Sequence, residues 1–198
     1  MGGATVSAHN PSETWKLPSR GIVGMVCLII AEAAIFIIFV VAYIFYLGKS
    51  LGGPTPHDVL DLPIVTTICL LSSSLTVMGA VSALHNHKRN LCSLWLGFTV
   101  LLGAIFLAGT ADEWYNLIYR DGLTIKTNLF GTTFYSLVGL HATHVVFGLC
   151  LLSLALFFSI RGQMTSKHTE RLEALSLYWH FVDAVWVVVF LVVYVFGR

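Results

Sequence analysis

Charge is what this sequence has least of. Asp, Glu, Lys and Arg make up 11% of its 198 residues, against ~25% in an ordinary soluble domain. So few polar side chains cannot coat a water-soluble globule of this size, whereas 57% hydrophobic residues can fill a bilayer. A mean hydropathy of +0.83 points the same way. The net charge of +1 supplies no strong field, which excludes nucleic-acid binding, and the composition excludes disorder and collagen-like structure. There is no CxxC and no Cys/His metal spacing. Cys27, Cys69, Cys92 and Cys150 stand singly in or beside apolar runs and read as small buried hydrophobes rather than disulfide partners. Walker A, GxSxG and a GxGxxG in a βαβ setting are absent, as are a soluble domain, low-complexity segments and internal repeats. Nor is a removable signal peptide expected, because the polar start from Met1 to Arg20 leads into an apolar run too long for one.

What is present is five apolar stretches, near Gly21–Leu47, Leu60–Leu84, Leu91–Thr110, Asn128–Ile160 and Leu172–Phe196. Each is long enough to cross a hydrocarbon core that takes ~20 helical residues. Each must be a helix, since a lone strand in lipid would leave its backbone groups unpaired. The expected fold is all-α: a polytopic membrane bundle of five transmembrane helices over residues 21–198, preceded by a polar, cytoplasmic segment at 1–20. Gly48, Gly52, Gly53, Pro54 and Pro56 break the first connector, and Asp121-Gly122 turns the third. The connector His85–Asn90 is so short that the helices it joins must be antiparallel neighbours. Thr169 is a candidate cap for the last helix.

Basic residues set the expected orientation. Lys16, Arg20, Lys88, Arg89, Arg161, Lys167 and Arg171 fall on one side, and Lys49, Arg120, Lys126 and Arg198 on the other. This places the N-terminus inside and the C-terminus outside. Small residues recur at every fourth position as Ser72, Thr76 and Ala80, and again as Gly139 and Thr143, rows that let helices approach closely.

Ionisable groups inside a span cost roughly 2.5–3.5 kcal/mol each on insertion scales, so each one needs a reason. Glu32, His141, His144, His180 and Asp183 all fall near mid-depth. His141 and His144 share a helical face at i, i+3, as do His180 and Asp183. Glu32 is expected to face the interior with an imidazole or hydroxyl partner. Two histidines on one face cannot supply both axial ligands of a haem, although His180 could give the second. A metal site from His141, His144 and His180 matches no recognised ligand motif. A proton relay through Glu32 and the histidines is physically reasonable, and a satisfied polar cluster fixing helix register is favoured over any single chemical role. Glu113 and Trp114, beside Asp112, Tyr115 and Tyr119, form an acid–aromatic pair in an outer interfacial belt, where an acid is ordinarily solvated.

One run is more specific than the rest. Tyr178-Trp179-His180-Phe181-Val182-Asp183-Ala184-Val185-Trp186 resembles the last helix of subunit III of the haem–copper terminal oxidases. Gly139-Leu140-His141-Ala142-Thr143-His144-Val145-Val146, with Phe130-Gly131 and Phe134-Tyr135 upstream, is similar to that family's G-x-H-x-x-H-V segment. Glu113 and its aromatic neighbour resemble the family's acidic–aromatic pair, and Glu32 falls where the family carries its intramembrane carboxylate. Full-length members have seven helices, and this chain resembles a shorter bacterial form without the first two, which another subunit would supply if they are present at all.

The resemblance implies a non-redox accessory subunit of a proton-pumping oxidase, with Trp179, Phe181 and Trp186 as packing residues of the family motif. It implies no catalytic residue and no metal in this chain. Haem and copper are expected in partner subunits, and phospholipid is expected to bind. Subunit I is the implied main contact, with subunit II and subunit IV as further partners, in the inner (plasma) membrane of a bacterium. The subunit would stabilise subunit I and assist proton uptake or oxygen access. The acid at Glu32 leans towards a cytochrome c oxidase, and the Gly52-Gly53-Pro54-Thr55 connector followed by Asp61-Leu62-Pro63 leans towards a quinol oxidase; cytochrome c is favoured. A proton- or ion-coupled transporter and a self-contained membrane redox enzyme are the rivals from other classes. The first would predict broken helices or paired repeats.

Overall fold

The computed structural model of the chain describes residues 19–50, 52–60, 62–165 and 168–197. Residues 1–18 of the polar N-terminal segment lie outside the described residues, as do Asp61 of the first connector and Lys16, Lys167 and Arg198 of the charge comparison. Among the described residues five helices are long and apolar enough to span a membrane. They are α1 (Arg20–Tyr46), α3 (Ile64–His85), α4 (Arg89–Tyr119), α5 (Leu129–Ile160) and α6 (Thr169–Phe190). A single turn, α2 (Pro56–Val59), sits in the first connector. After α6 the chain winds on as a π turn over Leu191–Val195, where the Phe196 N–H donates five residues back to the Leu191 carbonyl at 2.9 Å.

Local chemistry sets most of the ends. Pro63 occupies the N-cap of α3 and has no amide hydrogen to lose. The second span therefore begins at Ile64 rather than at Leu60. Asn128 caps α5 by accepting from the Gly131 N–H at 2.8 Å, and its amide donates to the Gly52 and Pro54 carbonyls at 3.2 and 3.0 Å. One side chain thus starts a helix and ties down the connector between α1 and α3.

Three expectations about the spans need correcting. The third helix does not stop near Thr110 but runs to Tyr119. Asp112 and Glu113 end the apolar run without ending the helix, which continues until Gly122 (φ 65°) turns the chain. Thr169 is the first helical residue rather than the cap. The cap position belongs to His168, whose Nδ1 bonds back to the amide and hydroxyl of Thr165 at 3.2 and 3.1 Å. Of the cysteines only Cys92 is buried, Cys69 is half-buried, and Cys27 and Cys150 are exposed. Lipid solvates a thiol about as well as a protein interior does, so an apolar character does not select the inside of a bundle.

The helices pack around α6, which touches α1, α3 and α5, while α3 and α4 form a close antiparallel hairpin and α5 lies against α4. In the spanning window of α6, 44% of residues are buried, against 6% for α1; α6 is the hub and α1 a peripheral helix. Only Phe36 and Tyr43 of α1 are buried, and Ile30, Ile37, Ile38 and Val41 are left exposed on its outer face.

Small residues do bring helices together, in the expected row of α3 but not in that of α5. Thr76 meets Thr99 of α4 across the hairpin at 2.7 Å, and Ala80 is buried. The Gly139–Thr143 row is not a seam, because Thr143 is exposed and bonds its own Gly139 carbonyl. On α5 the close approach comes at Gly148, where a Cβ would stand 2.8 Å from the Trp179 ring. Both family-motif indoles of α6 donate to α3 hydroxyls, Trp179 Nε1 to Ser73 at 2.8 Å and Trp186 Nε1 to Thr67 at 3.1 Å. Ser73→Ala would leave the Trp179 N–H buried without a partner. It is expected to lower unfolding stability by about 1 kcal/mol, within the range of interhelical hydrogen bonds in membranes, as measured by detergent-induced unfolding. No change would show that the indole N–H finds another acceptor.

Candidate functional site

Glu32, Ser74, His144 and Asp183 each lie at the middle of a spanning helix. A membrane-crossing helix rises 1.5 Å per residue, so all four fall in one layer, remote from either surface. The layer divides into two separate polar groups.

The first joins α1 to α5. His144 Nδ1 approaches the Leu140 carbonyl at 2.8 Å, and Nε2 approaches Glu32 Oε2 at 3.1 Å. A carbonyl only accepts, so Nδ1 carries a hydrogen and donates it. The hydrogen bond on the other side of the ring then needs one more proton, held either by Nε2 or by the carboxyl. Between them Glu32 and His144 therefore hold a single proton, as an ion pair or as a neutral pair. The two side chains are 26% and 14% exposed, so the proton is sheltered without being sealed in. Phe36 lies across the His144 ring at 4.9 Å and edge-on to Phe181 at 6.2 Å, so an α1 ring braced on α6 borders the imidazole.

The second group joins α3 to α6. Ser74 donates its hydroxyl to Asp183 Oδ2. That uses the one hydrogen Ser74 has, so the 2.9 Å contact between Ser74 Oγ and His180 Nδ1 must be donated by the imidazole. His180 Nε2 is then the acceptor for the Ser176 hydroxyl at 3.2 Å. The i, i+3 spacing of His180 and Asp183 puts both on the face of α6 turned to Ser74. Asp183 is 3% exposed, and its other oxygen, Oδ1, has no hydrogen-bond partner among the described residues.

His141 belongs to neither group. It is buried, stacks on Trp186 with ring centroids 5.0 Å apart, and neither ring nitrogen has a hydrogen-bond partner among the described residues. Phe106 and Phe36 stand edge-on to it at 6.0 and 6.4 Å. Shared helical spacing with His144 does not put the two imidazoles in one network, because one points to α1 and the other into the aromatic core. Glu113 is bound as well as near the interface: the Tyr194 hydroxyl donates to its two oxygens at 2.9 and 3.1 Å. The π turn is what brings Tyr194 there, buried to 1% exposure. Trp114 packs edge-on to Tyr135 at 5.3 Å, and its indole N–H makes no hydrogen bond among the described residues.

The structure thus pairs Glu32 with His144 and His180 with Asp183, and leaves His141 apart. Ser74 and Ser176 complete the second pair and Tyr194 binds Glu113; all three are unmarked in the sequence, where a hydroxyl in a spanning helix carries no sign of its own. Ser74 sits in the run Ser72-Ser73-Ser74, whose three members point in three directions. Among the described residues no group of three or more His, Cys, Asp or Glu could hold a metal ion. His141, His144 and His180 are directed to three different neighbours, which does not fit an axial or tetrahedral ligand set.

The family model for cytochrome c oxidase subunit III matches residues 12–198. The chain is 40% identical over 181 residues to cytochrome c oxidase subunit 3 of Synechocystis sp., covering 89% of this chain and 76% of that one. It is 36% identical over 168 residues to cytochrome c oxidase subunit 3 of a Bacillus species, covering 84% and 81%. Against cytochrome bo(3) ubiquinol oxidase subunit 3 of Pseudomonas aeruginosa it is 36% identical over 193 residues, covering 96% and 91%.

Proposed function

The chain belongs to the cytochrome c oxidase subunit III family, and from that premise we propose that it is the non-redox accessory subunit of a proton-pumping haem–copper oxidase in a bacterial plasma membrane. It packs mainly against subunit I, with subunits II and IV as further partners, and the haem and copper lie in those other chains. Residues 1–20 form a cytoplasmic segment, residues 21–198 the membrane domain, and the C-terminus is periplasmic. The subunit stabilises subunit I and serves proton uptake or oxygen access.

The observation that carries the proton-related part is the Glu32–His144 pair, one proton shared across 3.1 Å at mid-membrane depth. A half-buried polar pair that can exchange a proton is what an uptake role needs. Phospholipid binding is supported by a groove of about 580 Å³ between α1, α5 and α6. Its walls include Met25, Leu154 and Phe158, and Arg171 and His168 stand at its rim, an arrangement suited to acyl chains below an anionic headgroup.

Cytochrome c is the donor assigned here. Ubiquinol is the second reading, favoured by the near-complete coverage of the Pseudomonas aeruginosa relative and by the Gly52-Gly53-Pro54-Thr55 connector. The complex isolated through this chain, assayed with reduced cytochrome c and with ubiquinol, distinguishes the two. In that complex Glu32→Gln is expected to leave the haem content unchanged and to lower the protons pumped per electron during sustained turnover. Loss of haem from the variant would contradict an accessory role.

A further inference from the structure

The α3–α6 polar group is not required by the Glu32–His144 pair, and it has its own opening. A groove of about 500 Å³ runs along the α3–α6 seam from His85 and Glu173, at the end of the bundle that bears the α3–α4 turn, to Ser176 and His180. The hydrogen bonds derived above continue from its floor in one direction. Ser176 donates to His180, His180 to Ser74, and Ser74 to Asp183. At the end of that series is a carboxyl in the interior, with one oxygen bonded and the other bare. Nothing cationic reaches it among the described residues; its neighbours on α3 and α6 are hydroxyls and a ring already committed as a neutral donor. A carboxylate so placed bears its charge at a cost that binding a proton removes.

We propose that Asp183 is a proton-holding site, loaded from the α3–α6 groove through Ser176, His180 and Ser74. The proposal rests on the reading of this chain as part of a proton-pumping complex and assigns that role a second site, on the face of α6 away from Glu32. The step balances without any co-reactant. A proton arriving at His180 Nε2 releases the Nδ1 proton to Ser74 Oγ, and the hydroxyl proton of Ser74 passes to Asp183 Oδ2. The result is a neutral acid and a His180 that carries its hydrogen on Nε2, with Ser176 turned to accept; release runs the same transfers backwards. His85 on α3 and Glu173 on α6 are the titratable side chains lining the mouth. On the remaining helices Glu113 of α4 faces Tyr194, His144 of α5 faces Glu32 of α1, and His141 of α5 faces Trp186, so none of them meets this chain of bonds.

The test is pH-difference infrared spectroscopy of the complex purified through this chain and held in lipid nanodiscs. A carbonyl stretch of a neutral carboxylic acid is expected in the parent and absent in Asp183→Asn. In His180→Phe and in Ser74→Ala the band should persist, but its shift on transfer to D2O should be slower by about tenfold or more, as loss of a transfer step by barrier height implies. If Asp183→Asn removes no such band, or if the shift is as fast without His180 and Ser74, the proposal falls. Should Asp183→Asn fail to assemble, the two exchange variants still decide, since they keep the acid and cut only its path. If the chain brings down no haem-bearing partner, the proposed function fails, and the same band is then read on the full chain alone.

Discussion

Trp179→Ala is expected to lower the unfolding free energy of the bundle by about 3–5 kcal/mol, the range for removing a large buried aromatic side chain. Trp179 is 0% exposed and lies where α3, α4, α5 and α6 come closest. Its N–H is bonded to Ser73 of α3, and its ring meets Gly103 of α4 and Gly148 of α5. In lipid no hydrophobic force drives helices together, so close packing and interhelical hydrogen bonds must hold them. This residue gives α3 a hydrogen bond and α4 and α5 close packing. Alanine would leave a cavity that four helices cannot close without moving, because Trp186 one level along is fixed to Thr67. Titration of the purified chain with a denaturing detergent, followed by far-ultraviolet circular dichroism, measures the loss. A change below about 1 kcal/mol would mean the site collapses freely, and α6 would not be the hub described here.

Gly148→Val addresses the same contact from α5 and is expected to destabilise by about 1–3 kcal/mol through overpacking. A Cβ at this position would sit 2.8 Å from two atoms of the Trp179 ring and 3.3 Å from Tyr178. The indole cannot swing aside while Ser73 holds its nitrogen, so the backbones of α5 and α6 must separate. The pair yields a stricter result than either variant alone. In the double variant the valine can enter space vacated by the indole, so the combined loss should fall short of the sum by about 0.5–3 kcal/mol, the usual coupling between contacting residues. Strict additivity would show that the glycine and the tryptophan do not meet in the membrane.

Mid-helix polar residues illustrate how far the sequence could be followed. Glu32 and Asp183 were conspicuous because each is an acid in an apolar run, and the cost of burying one makes its position informative without any tertiary knowledge. Their partners were only partly legible. The i, i+3 spacing brought His180 and Asp183 to one face, yet the same spacing suggested a shared role for His141 and His144 that the structure does not show. One imidazole bonds Glu32 while the other stacks on Trp186. Spacing fixes which residues share a helix face and says nothing of what stands opposite that face. Glu113 makes the same point: beside aromatics at the end of an apolar run it read as an interfacial acid, and a π turn eighty residues later turns out to supply its hydroxyl donor.

By itself the sequence determined the number of spans, their helical character and the family. Backbone groups in lipid must be paired within one segment, so a long apolar run has only one structure open to it, and the motif around Trp179 to Trp186 is too specific to arise from composition. Which side of each helix faces inward was decided only by tertiary structure. In water a helix declares its buried face by contrast with a polar one; in a bilayer the lipid-facing and protein-facing sides are both apolar, and that contrast disappears. The lipid-facing cysteines, the Gly148–Trp179 contact and the division of five ionisable residues into two separate pairs and a lone histidine all depend on how the helices meet.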